Sequence, residues 1–317
     1  MNKIRFTLKA FAFLVFTLAC ATAAQAQATR TWVSGVGDDA NPCSRTAPCK
    51  TFAGAISKTA DGGEIDCIDS GGFGTVTLTK SVTIDGQGTL AGILAAGTNG
   101  VNVNDSGSGA PNTKIVKLRN LSIQGVGTGL VGINFTSGKA VFVENCFISG
   151  FKAGSGHGIT VSLTVGGSSL SVSNTSIEDN SGDGVRATTT TGTLRVGIDN
   201  CRLDKNNNGA HALVGSLFVI SRSELSNNVT NGVFVENTAS ANVDSCFIHS
   251  TATGAATGSG INAASSGIVR LANNNIVGQQ NGVNIAGGTV FTFGDNKIRG
   301  NVNDVTGGTL DASTTKQ

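Results

Sequence analysis

The chain has 317 residues, with 45 Gly, three Pro, no Tyr, and 22 basic against 20 acidic side chains. A balance so near neutrality excludes the one-signed surface that draws nucleic acid or an anionic membrane. All three prolines lie at or before Pro111 and no linker-like stretch follows, so the composition points to one elongated domain.

In chain order, Lys3, Arg5 and Lys9 precede an apolar run, and Ala-x-Ala follows at Ala24 to Ala26 or Ala26 to Ala28. Residues 1–26 therefore read as a secretory signal peptide, too short for a membrane span. Its removal leaves 19 basic and 20 acidic residues, a net charge near −1. The expected address is periplasm, cell surface or medium. Lipidation at Cys20 is the alternative, but Thr17 stands where a lipobox takes Leu.

Residues 27–69 read as an N-terminal cap. Cys43 and Cys49 flank the loop NPCSRTAPC, and in an oxidising compartment they are the preferred disulfide, with Cys67 a competitor for either. Asp38, Asp39 and Asn41 are weak candidates for holding Ca²⁺, although turn chemistry explains the same residues. Phe52, Ala55, Ile56 and Thr59 recur at helical spacing, predicting a short helix that ends at Asp61-Gly62-Gly63.

From residue 70 to 305 a short pattern repeats. Ile123, Ile148, Ile177, Leu203, Leu225, Ile248, Ile276 and Ile298 mark it at intervals of 22 to 29 residues. Taking these as position 0, positions −7 and −5 are apolar, for example Val141 and Val143, then Leu170 and Val172, with Phe291 and Phe293 in the last lap. Position −2 is mostly small and includes Cys146, Cys201 and Cys246. An Asn usually stands at −3, suited to a left-handed bend between two strands and able to bond its counterpart on the next lap.

A second column, from Ile133, Ile159 and Val185 to Val305, supplies a third strand. The expected fold is all-β: a parallel β-helix of three-stranded coils, about nine or ten of them, rising about 4.8 Å each. Val82 and Ile84 are assigned to the −2 and 0 slots, and Gly97 to Asn112 to an outward loop or ragged strand. Cysteines two coils apart stand about 9.6 Å from one another, so the three late thiols are expected to be free and buried. Residues 306–317 form a polar tail. Either a hairpin near Leu310 or another molecule closes this end, so self-association through the C-terminal coil edge is a possible partnership.

The coil pattern, the Asn bend and VTIDGQGT resemble the right-handed parallel β-helix superfamily that includes pectate lyases and polygalacturonases. TWVSGVGDDANPC and PCKTFAGAI resemble an uncharacterised set of secreted bacterial proteins of that fold, over essentially the mature chain. The resemblance implies a right-handed coil and leaves function open, since the fold hosts lyases, hydrolases and adhesins. Gly156-His157-Gly158 looks like the polygalacturonase histidine motif, but its Asn-Thr-Asp, Asp-Asp and Arg-Ile-Lys partners are missing. The Arg-x-Pro-x-x-Arg of pectate lyases cannot form without a late proline.

Two sets of candidate catalytic residues remain. Glu178 and Asp204 occupy position +1 on successive coils and read either as acid and base or as part of a solvated charge mosaic. His157 and Asp183 share a slot on adjacent coils otherwise filled by turn residues such as Asn208 and Asn231. His211 and His249 fall elsewhere, and no cofactor is implied. The leading expectation is an exported, non-catalytic scaffold that binds polysaccharide. The alternative is a polysaccharide lyase or glycoside hydrolase using the Glu178 and Asp204 pair.

Overall fold

A computed structural model of the chain describes residues 27–251 and 258–311, so residues 1–26, expected to be a signal peptide, and with them Cys20, lie outside the described residues. The chain winds as a parallel β-solenoid of about nine turns with one short helix. Three sheets run its length. The first has eleven strands, from Ala28–Val33 to Thr289–Thr292; the second has ten, from Gly71–Gly72 to Lys297–Ile298; the third has ten, from Val76–Leu78 to Asn303–Thr306. Each strand pairs in parallel with its counterpart one lap away, so a fixed set of columns results. Ile123, Ile148, Ile177 and Leu203 stack in the second sheet, and Ile133, Ile159, Val185 and Ala210 in the third. These inward columns are fully buried and merge into one core. Among the described residues no helix is long and apolar enough to cross a membrane.

The corners follow from backbone chemistry. Asn120, Asn145, Asn174, Asn200, Arg222, Ser245 and Asn273, all at −3, have φ between 48° and 56°, the left-handed region that Asn tolerates best. After each bend the freed N–H of position −2 points at the next lap. The N–H of Cys146 donates to Thr175 Oγ1 (3.2 Å), and that of Cys201 to Ser223 Oγ (3.1 Å). Alternating thiol and hydroxyl in this column thus satisfies buried donors.

A second corner, unremarked in the sequence, lies at +2, where Asp179, Lys205 and Asn227 are also left-handed. One residue on, Asn180, Asn206 and Asn228 form a ladder beneath the surface. Asn180 Nδ2 donates to Asn206 Oδ1 (2.9 Å), while Asn206 Nδ2 donates to Ile177 O (3.0 Å) and Asn228 Oδ1 (3.3 Å). The glycine that opens each third-sheet strand makes room for this ladder. A Cβ on Gly184 would lie 2.6 Å from Gly209 O and 3.0 Å from Asn206 Nδ2.

Several expectations need correction. Val82 and Ile84 pair with Val116 and Leu118, which puts them in the −7 and −5 slots. Ala91 and Ile93 take the −2 and 0 slots, because the loop Gly86 to Leu90 replaces the one-residue Asn bend. In the last lap Val290 and Thr292, not Phe291 and Phe293, oppose Val269 and Leu271. Gly294 (φ 81°) and one additional residue make that bend, and Phe291 turns outward beneath Arg270. Within Gly97 to Asn112, Val101–Asn104 is a regular strand with Val101 and Val103 buried, and the loop beyond it hangs on Asp105. No hairpin closes the C-terminal end among the described residues; Asp311 adds a single parallel bridge to Phe291, and Leu310 packs on the core.

At the opposite end the strand Ala28–Val33 precedes a loop closed by the Cys43–Cys49 disulfide (Cα–Cα 4.6 Å). The helix Phe52–Lys58 follows, with Thr51 as N-cap accepting from the Gly54 N–H (2.9 Å). It stops at Lys58, before Asp61-Gly62-Gly63, because Thr59 is already extended and begins the strand Thr59–Cys67. Phe52 meets Phe73 at 5.2 Å between ring centroids, seating the helix over the first coil. Cys67, Cys146, Cys201 and Cys246 are free and buried. Burial pushes the thiols of the last three up to about 11 and that of Cys67 up to about 12, which makes them inert fillers.

Candidate functional site

The opening slot of each third-sheet strand carries its side chain just ahead of the close-packed glycine, so successive laps stack these groups in reach of one another. Asn208 Nδ2 donates to Asp183 Oδ1 (2.6 Å), and Asn231 Nδ2 to Asn208 Oδ1 (2.7 Å). At the head of this column the Asp183 N–H donates to His157 Nδ1 (2.8 Å), fixing Nδ1 as an acceptor. The Asp183 carboxylate lies 3.8 Å from the same nitrogen and 3.8 Å from Arg186 Nε.

The sequence did not mark His211 as a neighbour of this pair, because it sits on the outward column two residues beyond Gly209. A carboxylate one lap up is nevertheless within reach. His211 Nδ1 meets Asp183 Oδ2 at 2.9 Å, and Nε2 meets Glu236 Oε1 at 3.2 Å, with the ring stacked on Phe234 at 4.6 Å. His157, Asp183, His211 and Glu236 thus form a polar chain crossing four laps, buried at Asp183 and His211 and partly exposed at its two ends.

Burial would by itself raise the Asp183 carboxyl, but its bonds from His211 and Asn208 outweigh that and hold it below the ordinary carboxylate range. Burial depresses His157 below the ordinary imidazole value. Chemically the chain can orient and relay protons. A nucleophile needs a base within hydrogen-bonding reach, and among the described residues no hydroxyl or thiol bonds to His157 or His211.

Glu178 and Asp204 lie side by side in the second sheet, as position +1 on successive coils requires. Arg202 bridges them, with Nη1 at 3.2 Å from Glu178 Oε2 and Nη2 at 3.0 Å from Asp204 Oδ2. The other Asp204 oxygen accepts from Ser226 Oγ (2.9 Å) and Asn227 Nδ2 (3.0 Å), and the residue is buried. Asp204 is therefore wholly turned into protein contacts, while Glu178 engages Oε2 with Arg202 and Ser176 Oγ (3.1 Å) and stays partly exposed. Farther along the same face Glu224 meets His249 Nε2 at 3.0 Å, and His249 stacks on Phe247.

The calcium candidates are tied into the cap. Asp39 accepts from Lys50 N (2.8 Å), Thr51 N (2.9 Å) and Thr51 Oγ1 (2.8 Å); Asp38 bonds Ala40 N; Asn41 Nδ2 bonds Pro48 O. These bonds dock the loop onto the helix start. Among the described residues no group of three or more His, Cys, Asp or Glu is arranged to hold a metal ion.

None of the curated proteins compared matches the chain. It is similar in structure to a crystal structure of pectate lyase Pel9A, with a TM-score of 0.47 and 14% sequence identity over 90% of this chain and 73% of that one. The family model described as right handed beta helix region matches residues 68–248, more than half of the sequence, and the chain belongs to that family.

Proposed function

We propose that this protein is an exported, non-catalytic scaffold that holds a linear polysaccharide along the outer face of its third sheet. One observation carries the reading. An unbroken outward column runs from Asn102 and Asn134 through Thr160, Arg186, His211 and Phe234 to Asn262 and Asn284, one residue per lap. At about 4.8 Å per lap it presents amide and guanidinium groups and the Phe234 ring along roughly 35 Å of rigid surface. Such a row fits a long, hydroxyl-rich, weakly charged chain better than a compact ligand, and ordering it on a preformed face costs the protein little entropy. The locked, buried state of Asp204, one half of the candidate acid and base pair, supports binding rather than turnover.

A glycan array run beside a reducing-sugar and unsaturated-product screen tests this. The expected result is saturable binding to at least one linear glycan without product, weakened about tenfold by Phe234→Ala or Arg186→Ala. Product formation that Asp204→Ala abolishes would overturn it in favour of a lyase or hydrolase.

A further inference from the structure

The rod's single Trp lies in the first strand, and its surroundings differ from those of any other outward side chain. In the first sheet Trp32, Asp66, Asp85 and Arg119 stack in one outward column, and Arg30, Glu64 and Thr83 in the next. Beside them lie two cavities. One, of about 420 Å³, is lined by Arg30, Trp32, Arg45, Asp66, Asp85 and Gln87 among others. The second, of about 440 Å³, has Arg30 and Trp32 again, with Pro42, Ser44 and Lys58. Trp32 and Arg30 are thus the shared wall between two hollows, each of a size that holds a small ligand.

The wall is held firmly. The Trp32 N–H donates to Cys43 O and the Cys49 N–H to Trp32 O, both at 2.9 Å, so the disulfide loop grips the indole's own backbone. Arg30 is fixed by Glu64 Oε1 (2.8 Å) and Asp66 Oδ2 (2.7 Å). By contrast, the Trp32 indole N–H, Asp85 Oδ2, the Gln87 carboxamide and the Arg45 guanidinium make no hydrogen bond among the described residues. The site therefore keeps both donors and acceptors in hand around a flat apolar ring.

Charge narrows the ligand. In the first hollow three carboxylates (Glu64, Asp66, Asp85) face two guanidiniums, so an anion meets repulsion and a metal ion meets Arg30 lodged between the acids; the second is lined by Arg30 and Lys58 without a carboxylate and repels a cation. A ligand without formal charge, with an apolar face and a rim of hydroxyls, is repelled by neither hollow and can bond the polar groups of both. We propose that Trp32 and the two cavities beside it form a saccharide site at the N-terminal end of the rod, taking uncharged pyranose rings against the indole. This site is separate from the third-sheet face, and either reading can fail without the other.

The chain holds one Trp and no Tyr, so its long-wavelength emission reports on this position alone. The mature protein is titrated with methyl glycosides of glucose, galactose, mannose and xylose, and with cellobiose and lactose. A saturable change in Trp32 emission is expected with at least one, at a dissociation constant on the order of 1 mM. Asp85→Asn and the surface change Gln87→Ala each weaken it about tenfold, because a hydroxyl then loses its partner. Phe147→Ala, an exposed change on the second sheet, leaves the titration unchanged. The idea is overturned if no probe gives saturation at its solubility limit, or if both Asp85→Asn and Gln87→Ala titrate like the parent. It is equally overturned if galacturonate or an oligolysine peptide, and none of the neutral sugars, moves the emission.

Discussion

Asparagine does two different jobs in this chain, and only one of them is plain in the sequence. At −3 it is chiefly a conformational choice: the side chain is mostly exposed, Arg222 and Ser245 fill the same left-handed angle in two laps, and the expected bond between laps is made at the surface, where Asn200 Nδ2 donates to Asn174 Oδ1 (2.6 Å). At +3 it is a structural hydrogen-bonding element, since Asn206 is wholly buried and bonds the lap on either side. The first was legible because it precedes an aliphatic marker at constant distance. The second is hidden because a repeat counted up to its aliphatic marker stops short of it, although Asn180, Asn206, Asn228 and Asn301 all follow the marker by three residues. Replacing Asn206 by Ala strands Ile177 O and the Asn180 amide without partners. Each buried orphan costs about 1–3 kcal/mol, so a loss of about 3 kcal/mol is expected in the urea-unfolding free energy. The same change at the surface Asn174 should cost less than about half as much, mainly through the strained bend; equal losses would show that the ladder has no special weight.

At the scale of one strand column, the third-sheet opening slot combines two titratable residues with a series of amides. His157 is depressed by burial, so its contribution to stability is complete above the unfolded imidazole value and is lost as pH falls through the folded one. Asp183 is also held low, and its contribution persists above the unfolded carboxylate value and disappears only in stronger acid. Acidification should therefore lower the thermal midpoint in two stages, the first below about pH 6.5. His157→Asn installs the side chain found at Asn208, Asn231, Asn281 and Asn303, and should remove the first stage while leaving the second. Identical pH profiles for parent and variant would show that His157 titrates without consequence. The pairing of this slot was readable from spacing alone. His211 joining it was not, because a side chain's reach to a diagonal neighbour depends on sheet geometry. The first lap was misread for a related reason: once Gly86 to Leu90 replaced the short bend, the slots of Val82 and Ile84 shifted, and Asp85 was not seen to stand beside Asp66.

Over the whole molecule the two ends are treated differently. A stacked coil touches only its neighbours, so stability is set locally and the terminal laps hold the fewest contacts. The N-terminal lap is covered by the helix Phe52–Lys58 and the loop closed by Cys43–Cys49, which between them bury Phe52, Ala55 and both sulfurs. At the other end Asn303–Thr306 is exposed along most of its length, Lys297–Ile298 is only two residues long, and among the described residues cover reaches just the first sheet through Leu310 and Asp311. Open strand edges of this kind are the natural seat of fraying and of pairing with a second copy. Native-state hydrogen exchange should accordingly show a gradient. Amides of Asn281–Ala286 and Asn303–Thr306 exchange by local opening, while those of Ile159, Val185 and Ala210 exchange only with global unfolding. Raising the protein concentration separates the two consequences of that edge. Protection of Asn303–Thr306 that grows with concentration, together with a doubled mass in light scattering, marks end-to-end association; a concentration-independent gradient marks fraying of a monomer. Protection at Asn303–Thr306 equal to that of the middle laps in a dilute monomer would mean that the edge is covered after all, and the asymmetry between the ends would have no energetic meaning.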